Sequence, residues 1–167
     1  MKIRDIMTER PESCTPNTDL AAAAMIMWRN DCGFVPVVSE DLSKTLGAIT
    51  DRDICMAVAT RHVRAEELRV GDVMSGRLVS VVPGDDIDTA ADLMRYEQLR
   101  RLPVLGPDDE LLGVVTLRDM IMRAGPAKGR RQPAVSAEQI LQTIRGIEEH
   151  HESQESTDPH LVLATTQ

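Results

Sequence analysis

Aromatic residues are nearly missing from this chain. One Trp, one Tyr and one Phe make up 2% of its 167 residues, which leaves little to stack on nucleic-acid bases. Excess positive charge is missing too: 19 Lys and Arg stand against 27 Asp and Glu, a net charge of −8. Nucleic acid and anionic membrane repel such a chain, so any phosphate site must be local. No apolar run approaches the roughly 20 residues that span a bilayer. The opening Met1-Lys2-Ile3-Arg4-Asp5 lacks the apolar stretch of a leader. Cys14, Cys32 and Cys55 are odd in number and form no Cys-x-x-Cys pair, which suggests neither a disulfide framework nor a zinc ribbon. Free thiols make the cytoplasm the expected compartment. P-loop, His-Glu-x-x-His and nucleophile-elbow patterns are absent, and no acid, base and nucleophile converge. The expectation is therefore no enzyme, no metal and no resident cofactor.

What is present is aliphatic and repetitive. Hydrophobic residues make up 42% of the chain, nine of them Met, a side chain that fills irregular core gaps. Shifted by 67 residues, the chain overlays itself. Ile6-Met7-Thr8 falls on Val73-Met74-Ser75, Pro16 on Pro83, Ala23-Ala24 on Ala90-Ala91 and Met27 on Met94. Val35-Pro36-Val37-Val38 falls on Leu102-Pro103-Val104-Leu105. One deletion later, at a shift of 66, Gly47 to Ile54 falls on Gly113 to Met120. The halves are assigned to residues 1–62 and 63–124, with a polar connection over 60–71.

Each copy reads as strand, helix, strand, strand, helix. A short extended piece ends at Pro16 or Pro83. Helices follow over Asp19–Asn30 and Asp86–Gln98, opened by acidic caps. Hairpins then join Phe34–Val38 to Leu46–Ile49, and Arg101–Leu105 to Leu111–Val115, through turn-rich segments. Second helices start at Thr50 and Thr116. About 55 residues are marginal alone, so the copies are expected to share one core in a pseudo-twofold α/β globule, with clefts between the halves.

The doubled marks are Ile6-Met7-Thr8 and Val73-Met74-Ser75, Val35-Pro36-Val37 and Leu102-Pro103-Val104, and Gly47-x-x-Thr50-x-x-Asp53 and Gly113-x-x-Thr116-x-x-Asp119. In this set, and in its order, the chain resembles the CBS motif pair, or Bateman module, over about residues 1–123. The resemblance implies a regulatory module that binds an adenine nucleotide or S-adenosylmethionine in two clefts, and a disc-shaped homodimer of such modules. It implies that Asp53 and Asp119 accept hydrogen bonds from ribose hydroxyls and that Thr50 and Thr116 meet phosphate or sugar. It places Val35-Pro36 and Leu102-Pro103 along the adenine pocket, with Thr15 and Val82 at its edge. A carboxylate can accept both ribose hydroxyls, and a helix N-terminus suits phosphate.

Each of these features has a plainer reading. Thr-x-x-Asp is close to a capping box, and a cap and a ligand-facing carboxylate are compatible. Arg100 and Arg101, which precede Leu102-Pro103, are candidates for phosphate, as are Arg52 and Arg118 in the first turns of the second helices. The alternative is pairing with the surplus carboxylates. The copies differ where Cys32-Gly33-Phe34 replaces Leu99-Arg100-Arg101, Thr15 replaces Val82 and Asp51 replaces Leu117, so the clefts cannot be chemically equal. Cys14 reads as a buried thiol, with a redox-sensing thiol as the alternative.

After a basic, breaker-rich linker over 125–133, Ser136-Ala137-Glu138-Gln139 opens a helix with Ile140, Leu141, Ile144 and Ile147 at helical spacing. It is expected to pack on the module, or else to meet a partner. A mobile polar tail is expected from about Glu148. The reading as a whole is a nucleotide sensor reporting to an unknown effector protein, without nucleic acid or membrane. Its rival is a redox or stress-response interaction protein with clefts that bind nothing.

Overall fold

The computed structural model describes residues 1–123 and 135–149. The basic linker and the tail expected to be mobile lie outside the described residues, apart from the last helical turn. Element order is β1 (Thr8–Glu9), α1 (Leu20–Arg29), β2 (Phe34–Val38), β3 (Thr45–Thr50), α2 (Asp51–Arg61), α3 (Ile87–Glu97), β4 (Arg101–Leu105), β5 (Leu111–Thr116), α4 (Leu117–Arg123) and α5 (Ala137–Glu148), with short 3-10 turns at Ile3–Asp5, Ala65–Glu67 and Val70–Asp72.

Local chemistry accounts for the helix limits. The Asp19 carboxylate accepts from the Ala22 N–H at 2.8 Å, so α1 begins where its first free donors are satisfied. Leu20, Ala23 and Met27 are its buried face, and Ile87, Ala90, Ala91 and Met94 are that of α3, the i, i+3, i+4, i+7 spacing of an amphipathic helix. After each helix the chain turns through a left-handed residue, Asp31 (φ 47°) or its repeat mate Gln98 (φ 58°), and enters a strand.

The hairpins β2–β3 and β4–β5 are antiparallel and keep equivalent registers. Phe34 faces Thr50, as Arg101 faces Thr116. Each ladder shifts at the same place, between Val37 and Val38 or between Val104 and Leu105. The extended piece expected before each first helix is only a single parallel bridge, Cys14 to Val37 and Val81 to Val104. Pro16 and Pro83 follow two residues later, and proline has no N–H to continue a ladder.

The sharper difference from expectation is where each copy's opening goes. β1, from the first copy, adds to β5 of the second through Thr8–Val114 and Glu9–Gly113. Ser75, the repeat mate of Thr8, bridges Ala48 in β3 of the first copy. The Ile3 amide donates to Asp85 O at 2.9 Å, and the Val70 amide to Thr18 O at 2.8 Å. The openings are exchanged, and the core follows them. One cluster holds Ile3 and Ile6 with Val81, Met94, Leu102, Val115 and Met120; the other holds Val70 with Cys14, Leu20, Val35, Val37 and Ile49. The core is thus two clusters, each completed by the other copy's opening, rather than one shared core.

Glycine makes the exchange fit. A Cβ on Gly47 would stand 2.1 Å from Ser75 O, and one on Gly113 would stand 2.8 Å from Thr8 O. Only a residue without a side chain lets the foreign backbone lie so close. The C-terminal helix α5 packs against α3 and, with Val135 just before it, joins the cluster of Ile3 and Ile6 through Ile140 and Ile147. Gln139 Nε2 donates to Asp88 Oδ1 at 2.9 Å. Leu141, the second residue of its expected apolar stripe, is exposed, and Thr143 is buried.

Candidate functional site in the clefts between the repeats

Each second helix begins with a reciprocal cap. The Asp53 amide donates to Thr50 Oγ1 at 3.2 Å, while the Thr50 amide and hydroxyl donate to Asp53 Oδ2 at 2.9 and 2.6 Å. Thr116 and Asp119 repeat this arrangement at 3.2, 2.8 and 2.7 Å. The plain capping reading therefore holds at both positions. It does not exhaust the carboxylates: only Oδ2 is engaged, and Oδ1 has no hydrogen-bond partner among the described residues. The cap leaves one free acceptor oxygen on a carboxylate that lines each cleft.

The first cleft is a cavity of about 380 Å³ that brings together Thr50, Asp53, Arg52, Arg100, Arg101 and Pro103. Ser75, Arg77 and Leu78 of the second copy's opening close its other side, and Ile147 of α5 reaches its rim. The second cleft, about 460 Å³, brings together Thr116, Asp119 and Arg118 with Thr8, Asp31, Arg100 and Arg101. It continues into a smaller hollow of about 220 Å³ that includes Glu12, Phe34 and Pro36. Position for position the two are repeat mates: Thr8 answers Ser75, and Asp31 answers Gln98.

Four of the residues assigned to the pocket from sequence fall elsewhere. Val35 and Leu102 are fully buried in the two core clusters, and the neighbouring Pro36 and Pro103 line the clefts instead. Thr15 is half-buried and its amide donates to Thr18 Oγ1 at 3.1 Å, a local turn. Val82 is exposed. Neither Thr15 nor Val82 lines either cleft. Sequence reasoning missed Arg77, Ser75 and Thr8 as cleft residues because it kept each opening in its own copy. The signal was Gly47 and Gly113, whose lack of a side chain marks where a foreign backbone passes.

The arginines divide by partner. Arg77 pairs with Glu97, and Arg100 with Glu148 at the end of α5, so carboxylate pairing is the observed state for those two. Arg52, Arg101 and Arg118 have no carboxylate within ion-pair distance among the described residues. A larger cavity of about 540 Å³, lined from α1 and α2 by Trp28 and Cys55 among others, shares Asp31, Cys32 and Arg101 with the second cleft and includes neither capped carboxylate. Cys14 is buried, and its burial pushes the thiol up to about 11, which leaves it protonated at neutral pH and a poor nucleophile. Among the described residues there is no cluster of three metal-ligating side chains and no helix long and apolar enough to cross a membrane.

Comparison with known proteins agrees with this layout. The CBS domain family model matches twice, at residues 3–60 and 70–124. The CBS domain-containing protein YhcV of Bacillus subtilis is 36% identical over 118 residues, 71% of this chain and 81% of that one. Hypoxic Response Protein I, solved with two coordinated zinc ions, superposes with a TM-score of 0.66 at 27% identity over 73% of this chain and 98% of that one. The CBS domain pair of protein MJ0100, solved with 5-methylthioadenosine and S-adenosyl-L-methionine, gives a TM-score of 0.66 at 23% identity over 73% and 94% of the two chains.

Proposed function

The chain belongs to the CBS-domain family, and from that premise we propose that it is a regulatory module that binds an adenine nucleotide, or a related adenosyl ligand, in the clefts between its repeats. The observation that carries this reading is the doubled lining: two capped carboxylates, each with one free oxygen and each sharing a cavity with arginines. A ribose diol fits the free oxygen, since each hydroxyl is a donor the carboxylate can accept. The phosphate or other anionic end fits the guanidinium groups, whose fork matches phosphate geometry. The proline strands supply the apolar wall for the base. MJ0100, with adenosyl ligands on the same fold, supports this ligand class.

In this reading residues 1–62 and 63–124 are the two halves that a ligand bridges. Asp53 and Asp119 hold the sugar, Thr50 and Thr116 orient them, Pro36 and Pro103 flank the base, and Arg52, Arg100, Arg101 and Arg118 meet the anion. Binding shifts the relative arrangement of the halves by its differential affinity for the two arrangements. The module acts as a homodimer and reports to a separate effector protein, without chemistry of its own.

Calorimetric titration of the reduced protein with AMP, ADP, ATP and S-adenosylmethionine tests it. A saturable isotherm is expected for at least one, with the site carried by Asp53 lost in Asp53→Ala and that carried by Asp119 lost in Asp119→Ala. Flat traces for all four ligands would refute the adenine assignment.

A further inference from the structure

Arg101 lines the first cleft with Thr50 and Asp53, and it lines the second cleft with Thr116 and Asp119. It also borders the hollow that extends the second cleft. A residue that walls both clefts stands where the halves meet. Its repeat mate, Phe34, stands there too, in the first cleft and in the hollow of the second. In a symmetric pair this partition would hold two equivalent side chains. Here it holds one cation and one apolar ring.

We infer that Arg101 is a single cation shared by the two clefts, so that an anionic ligand in one weakens the binding of an anionic ligand in the other. The inference rests on the nucleotide reading above and goes beyond it. A guanidinium that turns its donors toward a phosphate on one side withdraws them from the other, because the donors form one rigid planar fork. The neighbouring cation does not make up the loss. Arg100 also borders both clefts, but Glu148 already pairs with it.

The charges around the clefts give the order of filling. With Arg77 and Arg100 already neutralised by Glu97 and Glu148, the first cleft carries Arg52 and Arg101 against Asp53. The second carries Arg101 and Arg118 against Asp31 and Asp119, with Glu12 in its extension. Loss of Arg101 leaves the first cleft balanced and the second net negative. The first cleft therefore fills first and takes Arg101 with it, and the second binds against that loss. A charge-assisted contact to phosphate is about twice as strong as a neutral one, so the penalty is expected to be about tenfold in affinity.

The test is titration with AMP in a cycle of variants. Asp53→Ala leaves the second cleft alone, and its affinity there is expected to be about tenfold tighter than the second binding event of the unaltered protein. Arg101→Gln in both backgrounds should reduce that gap to less than about twofold, while Arg101→Lys, which keeps the charge but not the planar fork, should leave a gap intermediate between the two. Unchanged melting of the Arg101 variants separates a binding effect from a folding one. Equal affinities for the second cleft, alone and with the first filled, would overturn the inference, as would a gap that persists in Arg101→Gln. Absence of AMP binding in every variant and in the unaltered protein would instead sink the nucleotide reading itself, and this inference with it.

Discussion

Gly47 and Gly113 carry a structural duty that a motif description hides. They stand inside a pattern whose Thr and Asp belong to the cleft, yet what they touch is the backbone of the other copy's opening. The expected result of Gly47→Ala is a loss of about 2 kcal/mol or more, the range for forcing extra volume into a packed site, read by denaturant unfolding. Gly84, where a Cβ would meet nothing within 4 Å, is the control: Gly84→Ala should move stability by less than about 0.5 kcal/mol, as surface changes do. Equal losses at both positions would remove the close-approach argument. The residue scale is also where sequence was least able to assign the site. Thr50, Asp53, Thr116 and Asp119 were legible because a cap repeated at the same offset stands out. Val35 and Leu102 were misplaced because alternate residues of a strand face opposite sides, and a mostly apolar strand does not show which face meets the ligand.

At the scale of elements, limits read from caps and turns lie within a residue or so of the structure. Asp19, Thr50 and Ser136 start their helices by side-chain hydrogen bonds written into the local sequence. The docking of α5 was left between packing and a partner, since a stripe of apolar residues shows a face and not its occupant. The structure settles it on α3, with Ile140 and Ile147 buried and Gly146 pressed against the Arg95 side chain. Truncating a buried isoleucine costs about 2–5 kcal/mol, more than a lone short helix can absorb. Ile140→Ala is therefore expected to free α5. Amide exchange should show lost protection over residues 137–148 while β4 and β5 stay protected, and Leu141→Ala, at an exposed position, should leave protection unchanged. Protection retained in Ile140→Ala would mean that other contacts hold the helix.

For the whole molecule, the repeat, the α/β class and the pairing of clefts were legible, because a chain that overlays itself must build similar units. The exchange was not. β1 is two residues long, too short for any periodicity, and Ile3 or Val70 is equally apolar whichever cluster it enters. The exchange has a measurable cost when it is broken. A chain cut to residues 63–124 keeps its own hairpin but loses Ile3 and Ile6 from its core, and a chain cut to residues 1–62 loses Val70. Each fragment as a monomer, at low concentration, is expected to be largely unfolded by circular dichroism, and an equimolar mixture is expected to recover helical signal in proportion to complex formed. Full folding of either fragment as a monomer would show that the opening segments are dispensable.

Exchanged openings also set what a lone copy would do. Such a chain has an opening with no sheet to join and a sheet edge with no opening to receive, and both needs are met by a second identical chain. The contact is self-complementary and closes on itself after two members, so a single repeat is by its geometry half of a twofold dimer. Joining two copies in tandem, as residues 60–71 do here, makes that association intramolecular and independent of protein concentration. The tether also frees each half to differ from the other, as the guanidinium and the phenyl ring at the dividing wall do.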